Sequence, residues 1–283
     1  MPPPPSPAAA PSQRLALVAL ALAAPTAAAW RNGAALRPPM AWANWNLYGC
    51  GTAAFAHDDA SWREMADAMV STGLAAPGGP WAGAFMHMEE CLVPLGARDP
   101  VTHVLQPNAT RWPDGLAALA AYFHSKGLRA GVYTDVAAVT CAGFEGSGPG
   151  GGDPVGHWTL DALTFAQWGF DMVEADFCSA EGDTETLYTA ARDAIAAASA
   201  ATGRELTYYM CDWGSDAAWL WGGAVANLLR NTGDICSPGS ISWYDVMSNF
   251  GSEAGSAARS PILPPPTQRT LTLHPPFSRR HGE

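Results

Sequence analysis

The sequence predicts an α/β fold of the (β/α)8 TIM-barrel type, and three observations carry that expectation. Short apolar, strand-like runs alternate with helical stretches about six times along the chain. Acids recur where those strands end: Glu89 and Glu90, Asp135, Glu174 and Asp176, Asp212, and Asp234. In a barrel the C-terminal strand ends share one face, and the chemistry sits there. No GxGxxG follows the first strand, so a dinucleotide-binding sheet is unsupported. Only about six units can be counted, and a full barrel takes about 250 residues. The barrel is therefore expected to be incomplete.

Each element has a local reason. Trp42 ends a first strand. Asp58 or Asp59 can cap a helix with Met65, Met69 and Leu74 at helical spacing and Gly73 near its end. A second strand runs over 82–88. Asp114 opens a helix with Leu116, Leu119, Ala120 and Phe123 on one face, and Gly127 stops it. A third strand covers 128–133. A Gly-rich loop over 143–156 leads to a helix over 160–168. Asp183 caps an Ala-rich helix that Gly203 ends. A fifth strand spans 206–210, a helix 219–229, and a short sixth strand 230–234.

The fourth strand organises the rest. Phe170, Met172 and Val173 form an apolar run after Gly169, and it ends in Glu174-Ala175-Asp176. Residues two apart on a strand share a face, so both acids should point the same way. A strand that is apolar along its length and acidic at its C-terminal end suits a barrel presenting catalytic groups.

Composition narrows the function. Hydrophobic residues make up 48% of 283, enough for a sizeable core. The formal net charge is −11 and Lys126 is the single lysine, so no basic patch exists to neutralise phosphates, and nucleic-acid binding is disfavoured. Residues 1–29 read as a signal peptide: a Pro/Ala-rich lead with Arg14, a ten-residue apolar run over 15–24, and a small-residue cleavage site at 27–29. No other stretch could span a membrane, so a secreted or lumenal location is expected, a vacuole or lysosome included. The six cysteines are then disulfide candidates, and no CxxC pair suggests a metal. Asn108-Ala109-Thr110 is a glycosylation sequon in an expected loop. Residues 30–250 form the expected barrel domain, and 251–283 read as a disordered or aberrant tail.

Seven collinear motifs resemble glycoside hydrolase family 27, the α-galactosidase and melibiase group. Residues 38–46, PPMAWANWN, resemble its PPMGWNSWN, and 65–74 resemble its ADALVSTGL helix. Residues 124–135 resemble HSKGLKLGIYSD, and 164–171 resemble TFASWGVD. Residues 174–178 stand where the family has KYDNC; 211–214 resemble CEWG and 230–234 resemble RTTGD.

The resemblance implies a retaining glycosidase acting on terminal α-galactosides or related pyranosides. Asp176 matches the nucleophile and Asp234 the acid/base, with carboxyl groups expected about 5–5.5 Å apart and somewhat wider without ligand. Arg230 and nearby donors are expected to keep Asp176 ionised, and a neighbouring carboxylate to keep Asp234 protonated. Trp42 matches an aromatic wall. Tyr133, Asp212 and Arg230 match hydroxyl-binding positions, and Cys141 joins the substrate-binding set. Cys50–Cys91 and Cys141–Cys178 match family disulfides, whereas Cys211 and Cys236 have no match. The mechanism needs no metal or organic cofactor, and the oligomeric state is left open.

Three departures stand out. The family's paired aspartates are Glu89 and Glu90 here, each one methylene longer. The lysine of KYDNC is Glu174, which places a negative group beside the nucleophile and opposes its ionisation. The family's GGWNDPDML stretch, last two strands and C-terminal β-sandwich have no counterpart. A shifted sugar preference follows, as in the family's β-L-arabinopyranosidases, and an N-acetyl sugar is disfavoured by the acid at 212. The competing expectation is a catalytically inactive, truncated sugar-binding barrel.

Overall fold

The computed structural model describes residues 29–250, apart from 151, 153, 154, 238, 239, 242 and 245. The expected signal peptide (save Ala29) and the 251–283 tail lie outside the described residues. Six parallel strands pair strictly in chain order: β1 (Ala41–Ala43), β2 (Phe85–Met88), β3 (Arg129–Asp135), β4 (Met172–Asp176), β5 (Thr207–Cys211) and β6 (Leu228–Arg230). A doubly wound sheet reverses its order at a switch point, whereas a barrel never does. The unbroken order is that of an incomplete TIM barrel, curled and open between β1 and β6 among the described residues. A two-stranded antiparallel ribbon follows, β7 (Cys236–Ser237) with β8 (Ser240–Ile241).

Before the ribbon, the α-helices among the described residues are α1 (Trp45–Tyr48), α2 (Asp59–Ser71), α3 (Gly115–Ser125), α4 (Trp158–Trp168) and α5 (Thr184–Thr202). Asp58 caps α2 by accepting from the Ser61 amide at 2.9 Å. Its buried positions are Trp62, Ala66 and Met69 rather than the expected Met65, Met69 and Leu74. The face is turned because burying the Trp62 ring removes more apolar surface from water than Met65 does. The α3 face is the expected one: Leu116, Leu119, Ala120 and Phe123 are all buried. Asp114 makes no side-chain cap there. Asp183 does cap α5, accepting from the Thr186 amide at 2.9 Å, and Gly203 ends the helix at φ 70°. That left-handed turn suits glycine.

The expected helix over 219–229 does not form. Two short 3₁₀ turns (Ser215–Leu220 and Gly222–Ala224) and β6 replace it. Gly222 and Gly223 weaken a helix there, and Leu228 and Leu229 pair instead with Tyr209 and Met210 of β5. The sixth strand therefore ends at Arg230, and Asp234 lies in the loop beyond it.

Register places the acids. Tyr133 on β3 lies opposite Glu174 on β4, and Asp135 lies opposite Asp176. All five residues of β4 are buried. The Asp135 carboxylate ties these strand ends together by accepting from the Ala137 amide at 2.7 Å and the Cys178 amide at 2.9 Å. Burial nevertheless pushes its pKa up to about 7.

Between the loop after β3 and the start of α4, Arg98 is nearly buried and binds the fully buried Asp161 of α4 through two nitrogens, at 2.8 and 2.7 Å. It also binds Glu145 and donates to the Gly146 carbonyl at 2.9 Å. This network pins the Gly-rich loop to α4. Among the described residues no helix is long and apolar enough to cross a membrane.

Candidate active site

A cavity of about 510 Å³ opens at the C-terminal ends of the strands. Eight of the ten residues singled out for catalysis or substrate binding line it: Asp176, Asp234, Glu89, Glu90, Tyr133, Cys141, Glu174 and Arg230. Glu174 and Asp176 both face it, as strand alternation requires.

Asp176 is buried at the end of β4. The Tyr133 hydroxyl donates to its Oδ2 at 2.8 Å, and the Phe177 amide donates to Oδ1 at 2.9 Å. The Cys141 sulfur lies 3.4 Å from Oδ2. Burial pushes the Asp176 pKa up, while Tyr133, the Phe177 amide, Cys211 and Arg230 pull it back.

Glu174 is buried beside Asp176 and hydrogen-bonds Nε2 of His87. Burial first, then repulsion from Asp176, raises its pKa well above the carboxylate range. Burial lowers that of His87. Glu174 is therefore the acid that keeps its proton, which relieves the repulsion expected to work against Asp176. The free thiol of Cys211 is buried against both acids, and burial pushes its pKa up as well.

The paired glutamates part company. Glu90 is buried, and its carboxylate accepts from the Thr140 hydroxyl at 2.6 Å and the Ala142 amide at 3.0 Å. It holds the loop that carries Cys141. Glu89 is partly exposed, and among the described residues its carboxyl has no hydrogen-bond partner. Burial, reinforced by Glu174, raises its pKa to about 8. Both expected disulfides are present, Cys50–Cys91 and Cys141–Cys178. The second brings the Cys141 sulfur against Asp176. The Cys236 side chain lies outside the described ones.

Asp234 is exposed and ion-paired with Arg230 at 2.5 Å. Among the described residues it thus meets a guanidinium rather than the expected second carboxylate. The Arg230 Nε also donates to the Thr232 carbonyl at 3.1 Å.

Two expected residues lie outside the cavity lining. The Trp42 ring packs against Trp62 and Phe55, with centroids 5.1 and 5.5 Å away. Its apolar surface is taken up by the α2 core, and Trp45 and Asn46 line the cavity instead. Asp212 follows Cys211, so alternation turns it away from the face that Cys211 shares with the acids. It is fully buried and accepts from the Gly214 amide at 3.1 Å, and burial raises its pKa to about 6.

His87, Tyr209 and Trp213 were not singled out from the sequence, although Tyr209 and Trp213 line the cavity. One signal was available: His87 on β2 precedes Glu89, the residue just past the strand end, by two positions, the spacing that puts side chains on one face.

The family model described as "Alpha galactosidase A" matches residues 37–250. The α-galactosidase A of Cellvibrio japonicus is 36% identical over 226 residues, which cover 77% of this chain and 50% of that protein. The α-galactosidase of Cyamopsis tetragonoloba is 38% identical over 205 residues, 72% of this chain and 45% of that one. Among solved structures, the α-galactosidase of Saccharomyces cerevisiae aligns with a TM-score of 0.58 at 27% identity, covering 70% of this chain and 40% of its own. That yeast protein is also solved with raffinose. The α-galactosidase I of Mortierella vinacea aligns with a TM-score of 0.58 at 28% identity, covering 71% and 46%. The chain thus spans about half the length of the curated relatives it matches. The half-barrel, its strand-end acids and these matches together place the chain in the α-galactosidase family, glycoside hydrolase family 27.

Proposed function

We propose that the chain is the barrel portion of a secreted, retaining glycoside hydrolase that removes terminal α-galactosyl or related pyranosyl residues. One observation carries the reading: Asp176, at the end of β4, and Asp234, in the loop after β6, line the same sugar-sized cavity. In the first step an Asp176 oxygen bonds to the anomeric carbon as the glycosidic C–O bond breaks. Asp234 passes its proton to the departing oxygen. In the second step Asp234 takes a proton from water, whose oxygen displaces Asp176, and two inversions give net retention. Tyr133 and the Phe177 amide orient the nucleophile, and Arg230 holds Asp234. The two disulfides fit a secretory route.

The test is galactose release from raffinose and nitrophenol release from a panel of α-glycosides. The intact chain should turn over and Asp176→Asn should not. Equal signals from the two would reject the reading. A second reading, a sugar-binding half-barrel without turnover, is favoured by one feature: Asp234 is exposed and held by Arg230. Saturable galactose binding by both proteins, with turnover by neither, selects it.

A further inference from the structure

We propose that His87, Glu89 and Glu174 form a binding site for a divalent first-row metal ion, zinc or manganese, on the floor of the cavity. One ligand atom from each of these residues lies within 4.8 Å of the other two. Metal bonds of about 2.0–2.2 Å put two ligands on one ion up to about 4.4 Å apart, so Glu89 needs only a small shift, while the hydrogen-bonded His87 Nε2 and Glu174 part to admit the ion in place of their proton. One imidazole with two carboxylates suits such ions, whereas calcium prefers oxygen alone.

The strand pattern builds the site. His87 on β2 lies beside Gly131 on β3, and Gly131 lies beside Met172 on β4. A Cβ at position 131 would come within 2.5 Å of the His87 Nδ1. The missing side chain on the middle strand lets the buried imidazole lean over β3 and reach Glu174 with Nε2. Glu89 stands two residues beyond His87 on the same face, and its carboxyl has no hydrogen-bond partner among the described residues. Five carboxylic acids and one arginine line the cavity, so a cation that displaces the protons of Glu89 and Glu174 meets little opposing positive charge. The site stands on this triad and does not depend on the glycosidase reading.

The test uses the intact, oxidised chain, stripped with a chelator and titrated with Zn²⁺ by calorimetry and with Co²⁺ by absorbance. One equivalent should bind. The cobalt spectrum should lack a thiolate charge-transfer band, which excludes Cys211. His87→Ala, Glu174→Gln and Glu89→Gln should each weaken binding at least about tenfold, and His103→Ala should leave it unchanged. Glu89→Gln removes no hydrogen bond or ion pair among the described residues, so it keeps the test decisive if His87→Ala does not fold. Absence of saturable uptake at millimolar metal, or uptake indifferent to His87→Ala and Glu89→Gln, overturns the proposal. Either result leaves the glycosidase reading to its own assay.

Discussion

Replacing Tyr133 by Phe isolates one interaction at the proposed nucleophile. The Tyr133 hydroxyl is buried and donates to Asp176 at 2.8 Å. Phe keeps the ring and its packing, so the change removes a donor and little else. A hydrogen bond to a charged group contributes about 1.5–3 kcal/mol. That amount is lost by the ionised carboxylate and not by the protonated one. Burial already raises the Asp176 pKa and Tyr133 pulls it down, so loss of the donor raises it further. On the acid limb the ionised fraction therefore falls about ten- to a hundredfold, and far above that limb it is unchanged. The assay is kcat/KM against pH on a nitrophenyl α-galactoside, or a carbon-13 titration of the Asp176 carboxyl if turnover is absent. An acid limb that stays in place or moves to lower pH would refute the reasoning.

Further outcomes follow from other parts of the fold. Arg98→Met leaves the buried Asp161 without its guanidinium and should cost about 3–5 kcal/mol. Urea unfolding measures it, and a loss under 1 kcal/mol would mean that water or other groups take over. Cys141 and Cys178 close a loop of sequence separation 37, so replacing both by Ala should cost about 4 kcal/mol by chain entropy. Reductant should then no longer lower the variant's thermal midpoint through this bridge. The folded pKa values of Asp135 and Asp212 are raised from 3.8 to about 7 and about 6. A raised carboxylate stabilises the fold fully below its unfolded pKa, and that contribution is lost as pH rises through the folded value. The thermal midpoint should thus be higher near pH 5 than near pH 8, with Asp135→Asn flattening the difference. A midpoint that climbs from pH 5 to pH 8 contradicts this.

Local patterns were legible in the chain itself. Asp58 and Asp183 as helix caps, the buried face of α3, the alternating acids of β4 and the six-fold strand–helix rhythm all follow from periods of 2 and 3.6 and from cap chemistry. The motifs added the family and both disulfides, which no spacing rule supplies. The helix expected over 219–229 failed because pairing with β5 outweighed a weak, glycine-interrupted propensity.

Partnerships were beyond the reach of sequence. Glu174 meets His87 only because Gly131 lies between them on the intervening strand. Trp42 faces the α2 core while its neighbour Trp45 faces the cavity, and Cys211 rather than Asp212 touches the acids. A residue's own strand or helix determines which face it takes. What it meets on that face depends on register, and register is decided when the whole sheet closes over one core.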